Sequence, residues 1–94
     1  MTEISFTTIN GIKTAELILP GSTNAPANPR TILMLHGWGV SLKLMQPLGE
    51  KLAALGYMVY IPDMPGFGDS APPATAWGVP DYAKFIVAIS THTN

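Results

Sequence analysis

The chain has 94 residues, no cysteine and a net charge of −1 at neutral pH, which limits it to one small domain and excludes disulfides. Its basic residues, Lys13, Arg30, Lys43, Lys51 and Lys84, form no run or stripe, so nucleic acid is not an expected partner. Hydrophobic residues make up 47% and charged residues 12%, a balance that argues against disorder and suits the interior of a larger domain.

Met1–Ser5 has neither the basic nor the apolar stretch of a secretory leader. No apolar run approaches the roughly 20 residues that span a bilayer, so a cytoplasmic chain without a membrane partner is expected. Glu3 to Ile9 is rich in β-branched residues and leads into Asn10-Gly11, a pair that tolerates positive φ and signals a hairpin. Ile12 to Leu19 reads as the returning strand, with Ile12, Thr14, Glu16 and Ile18 on one face and Lys13, Ala15, Leu17 and Leu19 on the other. Pro20 to Pro29 is a cluster of breakers and reads as a loop within one domain.

Thr31 to Leu35 is a continuous apolar run, the pattern of a strand buried on both faces of a parallel sheet. After a turn over Trp38–Ser41, Leu44, Leu48, Leu52 and Leu55 recur on one helical face. Pro47 suits the first turn of a helix, which places its start near Met45 or Gln46, and Gly56 suits the residue just past its end. Tyr57 to Ile61 is a second short apolar strand closed by Pro62, so strand, helix and strand form a βαβ unit. Met64 to Pro80 reads as a long loop. Tyr82, Phe85, Ile86 and Ile89 then restore the helical period, with Asp81 as its N-cap or first-turn acid.

Two segments could carry chemistry. His36-Gly37-Trp38-Gly39 follows the first parallel strand at its C-terminal end, where crevices form in open α/β sheets. Glycines there let backbone amides turn outward, toward a developing oxyanion. On these residues alone a second reading stands: Gly37 and Gly39 serve only a tight turn. His36 reads as a structural residue that shapes the loop, since nothing in the sequence supplies it with an orienting acid. Asp63-Met64-Pro65-Gly66-Phe67-Gly68-Asp69-Ser70 follows the next strand and has the content of a compact turn. Pro65 fixes φ, Gly66 and Gly68 permit unusual φ, and Asp63 and Ser70 can bond local amides.

In this order and spacing the two segments resemble the N-terminal part of the α/β-hydrolase family, the first as its HG-x-G oxyanion loop and the second as its D-x-P-G-x-G-x-S turn. The resemblance covers nearly the whole chain. It implies an α/β fold, an incomplete α/β-hydrolase core with an N-terminal antiparallel hairpin, a parallel βαβ unit and a further helix. It implies that residues 1–94 are the N-terminal part of one such domain, lacking the nucleophile elbow, the acid and the histidine. By the same resemblance the Trp38 backbone N–H is a catalytic oxyanion donor, Gly37, Trp38 and Gly39 contact substrate, and His36, Asp63, Pro65, Gly66, Gly68 and Ser70 form the structural motif.

Gly68-Asp69-Ser70-Ala71-Pro72 nearly matches the G-x-S-x-G elbow, but Pro72 replaces the last glycine and the serine sits in a loop instead of between strand and helix. GDS also resembles the serine motif of trypsin-like proteases, whose all-β fold this chain does not share. His92 lies in the terminal tail, before the place where the family's catalytic histidine occurs. Two histidines and scattered acids show no ligand spacing, so no metal and no cofactor is expected.

The expected function is that of an N-terminal piece of a serine-type hydrolase acting on an ester or related carbonyl in a small-molecule substrate, inactive by itself. The reading frame is expected to continue into strand–G-x-S-x-G–helix within roughly the next 15–20 residues. The isolated chain is expected to self-associate through an unpaired strand edge. Two alternatives remain from the sequence: a naturally short, non-catalytic binding or interaction module, and a piece of a dehalogenase, epoxide hydrolase or acyltransferase relative.

Overall fold

A computed structural model describes residues 4–21, 30–37 and 41–93, with the backbone alone for His92 and Thr93. The described elements are β1 (Ile4–Ile9), β2 (Ile12–Leu19), β3 (Thr31–Leu33), α1 (Leu42–Ala54), β4 (Met58–Pro62) and α2 (Val79–Thr93). The strands form one sheet in the order β1-β2-β4-β3. β1 and β2 pair antiparallel with Ile9 opposite Ile12. Asn10 and Gly11 turn the hairpin with φ of 49° and 77°, the doubly positive pattern of a tight two-residue hairpin turn.

β3 and β4 pair in parallel, as a strand–helix–strand crossover requires, with Thr31 opposite Met58. β2 joins the two units by pairing antiparallel with β4, Leu17 opposite Ile61. β3 is shorter than the apolar run of residues 31–35. Met34 N still donates to Tyr60 O at 2.9 Å, but beyond it the chain leaves the ladder toward His36.

Side-chain alternation divides the core between the two sheet faces. Ala15, Leu17, Leu19, Val59 and Ile61 pack against Leu42, with Met45, Leu52 and Ala53 of α1 around them. On the other face Ile9, Tyr60 and Met64 pack against Phe85 and Ile89 of α2. The result is a helix–sheet–helix sandwich. Beneath α2 the Tyr60 hydroxyl donates to Glu16 Oε1. Burial first, then this hydrogen bond and the Glu16 charge, push the phenol far above its ordinary range and keep it a donor.

α1 differs from its sequence reading in start and in phase. It begins at Leu42, capped by Ser41, so Pro47 lies inside the helix and not in its first turn. The missing proline N–H deprives only the Lys43 carbonyl, and both residues are exposed, so water can serve that oxygen. The leucine stripe does not mark the buried face: Leu44, Leu48 and Leu55 are 66%, 53% and 75% exposed. The face on the sheet carries Leu42, Met45, Gly49, Leu52 and Ala53. Gly49 is the reason. A Cβ there would lie 2.8 Å from Ile61 Cδ1 and 3.1 Å from Leu19 Cδ1, so the helix approaches the sheet at the one position without a side chain. At the other end Gly56, with φ of 104°, closes α1. Gly56 N donates to Ala53 O at 3.0 Å and Tyr57 N to Leu52 O at 3.3 Å, the paired bonds of a Schellman cap. Among the described residues no helix is long and apolar enough to cross a membrane.

Candidate active site

β3 and β4 are parallel neighbours, so the segments that follow them emerge at the same end of the sheet. There the His36 ring meets the Met64 amide. Asp63 follows the last residue of β4, and its amide extends the sheet ladder by donating to Ala15 O at 2.8 Å. The side chain on this stem is buried, with 2% of its surface exposed. Its Oδ1 accepts the Leu42 N–H at 2.7 Å and its Oδ2 the Asp69 N–H at 2.9 Å. Leu42 is the first residue of α1, where a helix amide has no partner within the helix. A carboxylate at that end also meets the positive pole of the helix dipole.

Asp63 thus joins a helix start and a turn. The turn closes on itself through Phe67 N to Met64 O at 2.9 Å and Ser70 N to Phe67 O at 3.1 Å. Gly66 and Gly68 carry φ of 85° and 53°. Pro65 is buried, and its carbonyl accepts the Tyr82 hydroxyl of α2 at 3.2 Å. The Ser70 hydroxyl donates to Asp63 O at 2.6 Å and accepts the Ala15 N–H at 2.9 Å. Its proton and a lone pair therefore go to backbone groups, and the side chain is only 7% exposed. The ring nitrogens of His36 bond to Gly37 O and Met64 N, not to this hydroxyl.

His36 is 8% exposed. The Met64 N–H donates into Nε2 at 2.8 Å, so that nitrogen carries no proton. The proton is then on Nδ1, which faces Gly37 O at 2.8 Å. The ring edge packs on Phe67 with centroids 5.7 Å apart. With both nitrogens committed to backbone, the ring orders the loop and has no nitrogen left to take a substrate proton.

A cleft of about 280 Å³ opens beside these residues. Met64 and Phe67 line it from the turn, Val79, Tyr82, Ala83 and Ile86 from α2, and His36 and Gly37 from the end of β3. Its lining is almost wholly apolar. The contribution of α2 was not identified from the sequence, although Val79, Ala83 and Ile86 recur at helical spacing and that signal was available. The start of α2 is fixed by Gly78 N donating to Asp81 Oδ2 at 2.9 Å and by Trp77 packed edge-on to Tyr82 at 5.0 Å.

His36, Gly37, Asp63, Pro65, Gly66, Gly68 and Ser70 are thus brought to one end of the sheet. Trp38 and Gly39 lie outside the described residues. Among the described residues no three of His, Cys, Asp or Glu gather as metal ligands.

Comparison with known proteins gives a consistent picture. The sequence profile of the alpha/beta hydrolase fold matches residues 30–94. A pimeloyl-[acyl-carrier protein] methyl ester esterase of Shewanella sp. (strain MR-7) is 49% identical over 41 residues, which are 44% of this chain and 15% of that protein. The esterase of the same name from Shewanella oneidensis is 44% identical over 41 residues, again 44% of this chain and 15% of that protein. Among solved structures, an epoxide hydrolase from Vigna radiata superposes with a TM-score of 0.82 at 23% identity, over 98% of this chain and 28% of its own. A bacterial membrane phospholipase A superposes with a TM-score of 0.78 at 25% identity, over 96% of this chain and 27% of its own. The matched regions therefore span between 15% and 28% of the length of these relatives.

Proposed function

The chain belongs to the α/β-hydrolase fold family, and on that premise we propose that it is the N-terminal part of one catalytic domain that hydrolyses an ester or related carbonyl bond with a serine nucleophile. The observation that carries this reading is the position of Gly37. It lines an apolar cleft and immediately precedes Trp38 in the chain, which supports reading the Trp38 N–H as a donor to a carbonyl whose acyl group is apolar. Gly37 and Gly39 leave the backbone bare on either side, so substrate can approach it.

The Trp38 amide is then one of two donors to the tetrahedral oxyanion, the other following the nucleophile. The serine oxygen attacks the carbonyl carbon while a base takes its proton. The tetrahedral intermediate collapses as the ester C–O bond breaks and the alcohol leaves with that proton, and water then hydrolyses the acyl-serine to the acid and free serine. The acyl-ester names of the Shewanella relatives support an ester bond as the target. The bonding of Ser70 to Asp63 O and Ala15 N and of His36 to Gly37 O and Met64 N argues that neither is the missing nucleophile or base. The 94 residues alone are inactive in this reading. They self-associate through the open edge of β3 and the exposed Leu44, Leu48 and Leu55.

The test compares two proteins on p-nitrophenyl esters. The product of a reading frame that continues these residues into strand–G-x-S-x-G–helix is expected to turn over the ester, with or without Ser70→Ala. The 94 residues alone are expected to release no product above the buffer blank and to sediment as oligomers. Turnover by the 94 residues that Ser70→Ala abolishes would refute the assignment of the nucleophile to other sequence. A monomeric sedimentation profile would refute the self-association.

A further inference from the structure

The loop assigned to the oxyanion is held at both ends by two consecutive residues of the other segment. At its start, His36 Nε2 accepts the Met64 N–H at 2.8 Å. At its end, the Leu42 N–H donates to Asp63 Oδ1 at 2.7 Å. Residues 37–41 run between these two points. Both anchors are buried: Leu42 has no exposed surface, His36 has 8% and Asp63 has 2%. Asp63 cannot drift, because its own amide is tied to Ala15 O at 2.8 Å and its carbonyl takes the Ser70 hydroxyl at 2.6 Å.

We propose that Asp63 is the positioning residue of this loop: with Met64 it forms a two-point clamp on the loop's two ends, at His36 and Leu42. The proposal rests on the reading of Trp38 as an oxyanion donor, but the clamp can be tested without catalysis. Hydrogen bonds within α1 cannot protect the Leu42 amide, because helical acceptors exist only for amides further along. Its acceptor is Asp63 Oδ1. Exchange of that one amide therefore reports the clamp. The acceptor is a carboxylate, and losing such a bond corresponds to roughly a 10- to 100-fold change in opening.

The experiment is residue-resolved hydrogen exchange on the dilute 94-residue chain, read by mass spectrometry with electron-transfer fragmentation. In Asp63→Ala, Leu42 and Asp69 are both expected to exchange about tenfold faster or more. Asp63→Asn keeps one oxygen for two amides. That oxygen is expected to stay with Leu42, which is buried at a helix start, while Asp69 is exposed and turns to water. Leu42 protection is thus rescued by asparagine and Asp69 protection is not. Ser70→Ala serves as the control. It loosens the same strand junction without touching the Leu42 bond and is expected to accelerate Leu42 less than Asp63→Ala does.

The clamp is overturned if Leu42 exchanges at the unstructured rate in the parent sequence. It is equally overturned if Asp63→Ala and Ser70→Ala accelerate Leu42 alike, or if asparagine rescues neither amide. Failure of the oxyanion reading looks different: the exchange pattern holds, and removing the Trp38 N–H leaves ester turnover unchanged.

Discussion

Gly68→Ala is expected to leave the 94-residue chain without a folded baseline. Gly68 has φ of 53°, where an alanine carries about 1–2 kcal/mol of strain. That is the smaller part. An added Cβ would overlap the Asp63 carboxylate, both oxygens included. The carboxylate cannot yield, because it is buried and holds the Leu42 and Asp69 amides. Displacing it leaves a buried charge with its hydrogen bonds broken, a loss of about 3–5 kcal/mol. Together these approach the whole stability of a small domain, about 5 kcal/mol at its lower end. Gly11→Ala separates strain from overlap: Gly11 has φ of 77°, but its added Cβ meets nothing within 4 Å. A urea titration followed by circular dichroism should show a modest shift for Gly11→Ala and no folded baseline for Gly68→Ala. Equal shifts would refute the overlap.

Phe85→Ala is expected to cost about 3–5 kcal/mol and to release α2 before the sheet. Phe85 has no exposed surface and packs with Ile9, Tyr60, Met64 and Ile89. Trp77 leans on it at 5.8 Å between centroids. The opposite face of α2 offers no compensation, since Val79 and Val87 are 82% and 67% exposed. Losing α2 removes the cleft wall formed by Val79, Ala83 and Ile86. The midpoint of a urea titration measures the loss, and Phe85→Leu should recover most of it. A Phe85→Ala midpoint equal to that of the parent would mean that α2 is held by other contacts.

What the sequence made legible was local. Asn10-Gly11 and Gly56 require positive φ, and both do their work within a few residues of themselves. The apolar runs at residues 31–35 and 57–61 identified a parallel pair, although only β4 is buried on both faces: in the edge strand β3, Thr31 is exposed and Ile32 and Leu33 are half-buried. The errors arose where a distant contact decides. Leucine spacing predicted the wrong face of α1, because what rests on the sheet is Gly49, a residue with no hydrophobic signal. Pro47 predicted a later helix start although Ser41, the N-cap, was a local signal for the earlier one; what the sequence could not reveal is that Asp63, 21 residues beyond Leu42, accepts the first helical amide. The same holds at the site. Asp63 could be read as a partner for nearby amides, and Asp69 is one. The partnership of Ser70 with Ala15, 55 residues earlier, depends on β2 lying beside β4, a pairing that no spacing in the sequence encodes.

The central claim is that this chain supplies a backbone donor to an oxyanion and that the nucleophile comes from elsewhere in the domain. The most direct measurement exchanges the Trp38 amide for an ester, by installing the α-hydroxy analogue of tryptophan at that position in the ester-hydrolysing product of the reading frame. The side chain is kept and only the N–H is lost. The account predicts a fall in kcat of about 10²- to 10³-fold with KM little changed, the loss seen when one oxyanion donor is removed. A folded protein with unchanged kcat would contradict it.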